Sequence, residues 1–259
     1  MLLISLNGCN TVSEDSTNHT ESTSVSENKS EESPQGSPQE ITPNPVSDFN
    51  YEENQDGTIS ITGYLGKALE VVIPSTIHGK AVTTIGDGAF MQTAITSITL
   101  PDTITKIGQN VFYNCHSLLN ITFPKDLIKI GENSFTNCIS LKIINIPNNL
   151  DLFCLEYPAF YNTPALEKII FDDGREEIKG YAFFDITSNV EIIIPKSVKK
   201  FSADPFFIHG PAKIIFLGNF PEILEKTSFY GEPTIYYDPT TEGWNECEWK
   251  DQYPLEPLT

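Results

Sequence analysis

The chain has 259 residues, with 35 Asp and Glu against 16 Lys and Arg, for a formal charge of −19 at pH 7. That charge argues against a nucleic-acid partner, whose phosphates would repel it, and no basic stripe or aromatic-interleaved basic patch offsets it. The length suits one or two domains, and no apolar run reaches the ~20 residues a membrane-crossing helix needs.

Residues 1–9, Met1-Leu2-Leu3-Ile4-Ser5-Leu6-Asn7-Gly8-Cys9, are apolar and end in Leu-x-Gly-Cys. This ending resembles a bacterial lipobox, in which the cysteine, here Cys9, is diacylated and becomes the new N-terminus. Asn7 departs from that pattern, and the apolar run is short and has no basic residues before it. We read it as a truncated lipoprotein signal, or as a sign that the true start lies upstream. One acyl chain anchors marginally, whereas two or three anchor stably.

Residues 10–47 are Ser, Thr, Glu, Asn and Pro with almost no aromatics. Such a stretch buries too little apolar surface to offset its ordering entropy, so a disordered acidic tether is expected. As a random coil it would span roughly 35 Å on average, and up to about 125 Å if pulled straight.

From residue 48 to 245 a period takes over. Phe90, Phe112, Phe135, Phe160, Phe183, Phe206 and Phe229 recur at intervals of 22, 23, 25, 23, 23 and 23 residues. Each follows a compact residue: Ala89, Val111, Ser134, Ala159, Ala182, Pro205 and Ser228. A fixed period in the twenties marks a solenoid, in which each coil stacks only on its neighbours. After each Phe comes an alternating apolar run, as in Ile98-Thr99-Leu100-Pro101, Ile121-Thr122-Phe123-Pro124 and Ile144-Asn145-Ile146-Pro147. Alternation at a period of two puts Ile98, Leu100, Ile121, Phe123, Ile144 and Ile146 in the core. Pro ends each strand because it has no N–H to give the ladder. The pairs Ile85-Gly86, Ile107-Gly108 and Ile130-Gly131 follow, with Gly expected to supply a turn. The next Phe is expected on a short helical or turn segment. Irregularity is expected near 147–175, where one interval is long and Asp172-Asp173-Gly174 replaces the Ile-Pro pattern. Residues 246–259 read as a C-terminal tail.

The middle strand residue faces outward. In order it reads Thr99, Thr122, Asn145, Ile170, Ile193, Phe216 and Tyr236, polar first and apolar afterwards. Contiguous exposed apolar surface marks interaction sites. Ile170, Ile193, Phe216 and Tyr236 are therefore the candidate protein-binding strip, with weak self-association as a second use.

Residues with catalytic or metal-binding potential are poorly arranged for either. Cys115 and Cys138 hold the same position in successive coils, within reach of a bridge, but read better as small buried ladder residues. Cys154 and Cys247 have no evident partner, and no C-x-x-C is present. His19, His78, His116 and His209 lack metal-ligand spacing and read as exposed tether or corner residues. Asp172-Asp173-Gly174-Arg175 reads as a solvated turn rather than a calcium loop. Glu242, Glu246, Glu248 and Asp251, around Trp244 and Trp249, read as a polar cap rather than a glycosidase pair. No nucleophile elbow, P-loop, GxGxxG or HExxH occurs, and no cofactor or metal site is expected.

One pattern ties these positions together: Ile107-Gly108 through Val111-Phe112, Cys115 and Leu118, repeated as Ile130-Gly131 through Phe135, Cys138 and Leu141. It resembles the BspA-type leucine-rich repeat of bacterial surface proteins. The resemblance runs over roughly 58–245 and implies a β-rich leucine-rich repeat solenoid with stacked coils, one parallel sheet and turn-like helical corners. It also implies a non-enzymatic lipoprotein, lipid-anchored and surface-exposed on the bacterial cell envelope. Its partner would be a host extracellular-matrix protein or a microbial surface protein. The alternative is a glycan-binding or envelope-scaffolding module using Tyr236, Tyr237 and Trp244. A hydrolase would need two carboxylates facing each other across a cleft. Fold alone does not choose among these.

Overall fold

The structure, a computed structural model, describes residues 42–151, 158–179, 183–186, 189–202, 206–223 and 229–259. Cys9, His19, Cys154 and nearly all of the tether lie outside the described residues.

The repeat winds as a parallel β-solenoid. The main sheet takes one strand from each coil: Glu70–Val72, Ser97–Thr99, Asn120–Thr122, Ile143–Ile146, Lys168–Phe171 and Glu191–Ile194. It continues through the later parts of Phe206–Phe216 and Tyr230–Tyr237 and closes with Leu255–Pro257. Two inward rows run through it. One is Val71, Ile98, Ile121, Ile144, Ile169, Ile192, Ile214 and Ile235; the other is Ile73, Leu100, Phe123, Ile146, Phe171, Ile194 and Phe216. All of these residues are buried, including the six assigned to the core from their alternation.

The period-setting phenylalanines form a continuous aromatic stack. Ring centroids from Tyr64 through Phe90, Phe112, Phe135, Phe160, Phe183, Phe206 and Phe229 lie 4.9–6.1 Å apart. That spacing follows the strand spacing of about 4.8 Å and suits offset stacking.

The corners holding this stack are turns, not helices. Among the described residues, the sole helical segment is the 3-10 turn Val46–Asp48. The corner instead uses left-handed backbone on either side of the Phe: Gly88, Asn110 and Asn133 before it, and Gln92, Asn114, Asn137 and Asn162 after it, with φ between 53° and 65°. Asparagine tolerates this conformation, and here it also makes a ladder. Asn162 Nδ2 donates to Asn137 Oδ1 at 2.7 Å, and Asn137 Nδ2 donates to Asn114 Oδ1 at 2.7 Å. In later coils the corner becomes strand: Phe160–Tyr161, Phe183–Ile186 and the start of Phe206–Phe216.

The Ile-Gly glycines have a different role from the one expected. Gly86, Gly108 and Gly131 do not adopt left-handed backbone. At Gly108 and Gly131 the preceding coil passes too close for a side chain, and at Gly86 it leaves a Cβ a tight 3.1 Å from the Ile61 carbonyl. A Cβ on Gly131 would sit 2.5 Å from the Gly108 carbonyl carbon, and one on Gly108 would sit 2.8 Å from the Asp87 nitrogen. Their N–H groups donate to Ile61, Ile85 and Ile107 carbonyls at 2.7–2.8 Å.

The second side of the coil is discontinuous. A six-stranded sheet starts with the antiparallel hairpin Phe49–Glu53 and Ile59–Tyr64 and runs on to Lys129–Ile130. A separate three-stranded sheet comprises Glu177–Lys179, Lys200–Ser202 and Glu222–Ile223. Between them, the described residues contribute a single backbone bridge, Lys129 to Asp151. The main sheet is unbroken there, so the irregularity expected near 147–175 is confined to one side of the coil. Arg175 spans this interruption. It is half-buried rather than in a solvated turn, and it donates to the Pro147 and Leu150 carbonyls at 2.8 and 2.7 Å. Burial lowers its pKa, while the Asp151 and Asp172 carboxylates oppose that shift. Arg175→Ala should therefore cost about 2–3 kcal/mol, because two carbonyls lose a charged donor. Urea unfolding would show this as a lower midpoint.

Both ends extend beyond the boundaries read at 47/48 and 245/246. Asn44 imitates a strand at the first edge: its N–H donates to the Val72 carbonyl at 2.9 Å and its Oδ1 accepts from the Val72 N–H at 2.8 Å. Phe49 covers the first ring, Tyr64, at 5.7 Å. At the other end residues 246–259 are no tail. Trp249 is buried against Phe201, Phe216, Phe220 and Phe229, and Leu255–Pro257 adds a final parallel strand.

Candidate protein-binding face

The outward residues of the main sheet form the candidate site. Register places Val72, Thr99, Thr122, Asn145, Ile170, Ile193, Ile215, Tyr236 and Glu256 in one row. Thr99, Thr122 and Asn145 are exposed, while Ile170, Ile193, Ile215 and Tyr236 are half-buried. The polarity switch expected along this row is present at these positions.

Phe216 is not part of that strip. It pairs with Ile194 and is 2% exposed, while Ile215 takes the outward position. The cause is a one-residue irregularity at Asp185. Phe183 and Phe184 pair with Phe206 and Phe207, but Ile186 pairs with Ile208, so the later coil is one residue shorter at that point. A single-residue slip inverts every side chain after it. Phe216 instead packs on Trp244, Trp249 and Phe201 at 5.0–5.7 Å.

A row of alternating charge lies beside the apolar one, two residues earlier on each strand: Ile143, Lys168, Glu191, Lys213 and Thr234. Lys168 meets Glu191 at 2.6 Å, and Lys142 meets Glu167 at 3.0 Å. The row, with Glu167, Asn189, Pro211, Ala212 and Tyr236, lines an open cleft of about 560 Å³.

The other singled-out residues fall elsewhere. Cys115 and Cys138 are buried free thiols that donate to the Phe90 and Phe112 carbonyls at 3.0 and 3.2 Å. Burial raises the pKa of both thiols, and most strongly that of Cys138. His78 is exposed and shares a 3.0 Å hydrogen bond with Tyr51, and His116 and His209 are also exposed. Glu242, Glu246, Glu248 and Asp251 are exposed on the last turns. Among the described residues, no group of three or more His, Cys, Asp or Glu is placed to hold a metal ion. Trp244 is 2% exposed, stacked on Tyr237 at 5.1 Å, and donates to the Gly218 carbonyl at 3.2 Å. It offers no open face to a sugar. Lys213 and Ile215 were missed from sequence, and only the register shift at Asp185 reveals their position.

The family model described as "BspA type Leucine rich repeat region" matches six copies, over residues 83–207 and 154–236. Among solved structures, the chain is similar to a leucine-rich repeat protein from Bacteroides capillosus ATCC 29799. The two are 32% identical, over 49% of this chain and 96% of that one, with a TM-score of 0.44. It is also similar to the T. pallidum leucine rich repeat protein: 20% identical, 73% of this chain, 100% of that one, TM-score 0.48. A third likeness is to a leucine rich cell surface protein from Faecalibacterium prausnitzii A2-165. It is 23% identical, over 76% of this chain and 55% of that one, with a TM-score of 0.51. Among curated proteins nothing matches. With its repeat matched across more than half its length and wound as a stacked parallel solenoid, the chain belongs to the BspA type leucine-rich repeat family.

Proposed function

We propose that the protein is a non-enzymatic cell-surface lipoprotein. It is anchored through Cys9 and binds a host-matrix or microbial surface protein through the outer face of its main sheet. The observation that carries this reading is the change along one outward row from Thr99, Thr122 and Asn145 to Ile170, Ile193, Ile215 and Tyr236. Half-buried aliphatic and aromatic side chains at a shared register supply the apolar anchors on which interfaces depend. The family match, and the description of the F. prausnitzii neighbour as a cell surface protein, agree with display on the envelope. The glycan-binding alternative loses its central platform, because Trp244 is buried.

Binding of the purified chain to immobilised extracellular-matrix proteins tests the reading. Ile193→Asp and Tyr236→Ala should each weaken binding at least tenfold with the melting temperature unchanged, and unaltered binding by both would sink it. Cys9→Ser should release the protein from the membrane fraction, and protease treatment of whole cells should remove the native protein.

A further inference from the structure

We infer that the partner of this face presents a carboxylate two residues from an apolar side chain, and that Lys213 receives it. This inference rests on the binding face proposed above and names the chemistry of its occupant.

Lysines on these sheets are repeatedly answered by a glutamate one coil away. Lys80 pairs with Glu53, Lys142 with Glu167, Lys168 with Glu191, Lys199 with Glu176 and Lys200 with Glu222. Lys213 breaks the pattern. Its neighbour on the earlier side is Glu191, already engaged by Lys168, and its neighbour on the later side is Thr234. Lys213 is exposed and, among the described residues, has no carboxylate within salt-bridge distance. It lines the cleft together with the hydroxyl-bearing Thr234 and Tyr236. The lining thus holds an ammonium and two hydroxyl groups that can donate to an anionic oxygen, beside the Glu167 and Glu191 carboxylates, which Lys142 and Lys168 engage.

The surroundings narrow the occupant further. Ile215 lies two residues beyond Lys213 on the same face, which places them roughly 6.6 Å apart along the strand. An extended peptide repeats its own side chains on one face at that same interval. An acid at one position and an aliphatic or aromatic residue two positions on would meet Lys213 and the Ile193–Ile215–Tyr236 strip together. The net charge of −19 opposes a bare anion. A carboxylate therefore needs the adjoining apolar contact to settle here, and an unanswered cation in an acidic protein fixes where it settles.

Selection of phage-displayed linear peptides on the full-length protein, followed by calorimetry of enriched peptides, tests this. The enriched sequences should carry Asp or Glu two residues from Ile, Leu, Phe or Tyr. Lys213→Gln should weaken them about tenfold at low salt and flatten their salt dependence, whereas Lys250→Gln should do neither. Basic or uncharged enriched peptides would overturn the inference. So would peptides that bind Lys213→Gln as tightly as the parent yet are lost with Ile193→Asp, an outcome that leaves the binding face standing. Peptides indifferent to both variants would overturn the inference and the binding face together.

Discussion

Phe135→Ala should be the most damaging single truncation in the solenoid, costing about 4 kcal/mol. Phe135 is fully buried, with Phe112 at 5.0 Å on one side, Phe160 at 4.9 Å on the other and Phe123 edge-on at 5.6 Å. Each coil touches only its neighbours, so the gap weakens two interfaces at once. It also lies one coil from the place where the second side of the ladder is reduced to a single bridge. The variant should therefore lose strength and cooperativity together. Both tryptophans, Trp244 and Trp249, are in the C-terminal cover, so their fluorescence reports that end, whereas far-UV circular dichroism reports every coil. The two urea transitions should separate in Phe135→Ala. Coincident transitions with a loss under 1 kcal/mol would show that the stack does not carry the fold. Ile139→Ala, on an exposed side chain, should change stability by less than about 0.5 kcal/mol.

Gly131→Ala should cost about 3 kcal/mol although it adds a single methyl group. The new Cβ would meet backbone rather than a movable side chain: the Gly108 carbonyl carbon at 2.5 Å and the Gln109 nitrogen at 2.6 Å. Relief requires the coils to part, which also strains the Gly131 N–H to Ile107 carbonyl bond of 2.8 Å. Gly88→Asn is the contrasting substitution. Gly88 has φ of 65° with its nearest neighbour 4.0 Å away, and Asn110 and Asn133 hold the equivalent corner in the next coils. Thermal melts should show Gly88→Asn near the parent and Gly131→Ala well below it. The reverse order would mean that the glycines serve backbone freedom after all.

The contrast shows what a linear reading could and could not recover. The stacked phenylalanines and inward isoleucines were legible because each coil needs the same volume at the same place, so the residue type recurs. The glycines were visible, but the reason for them was not, because close approach between coils leaves the same letter as a tight turn. Arg175 looked like part of a solvated turn because its partners are carbonyls 25 and 28 residues earlier. Phe216 was placed outside because its spacing from the stack was assumed constant, and a period of two turns one missing residue into an inversion. The final cover looked like a tail because the repeat had ended, yet Trp249 and Leu255 continue its packing. The change of polarity along the outward row was legible, whereas the place of Lys213 beside it required the true register.

The covers at the two ends are unlike one another. Asn44 and Phe49 close the first, while Trp249 and a short last strand containing Pro257, which lacks an N–H to offer, close the second. Asn44 occupies the hydrogen-bonding groups of Val72 at one edge, and Pro257 removes a ladder donor at the other, so each cover blunts its edge against strand addition. Interior coils, by contrast, meet coils of the same pattern on both sides. Evolution can lengthen or shorten such a protein in whole-coil steps, duplicating or deleting a turn in the middle without designing a new terminus.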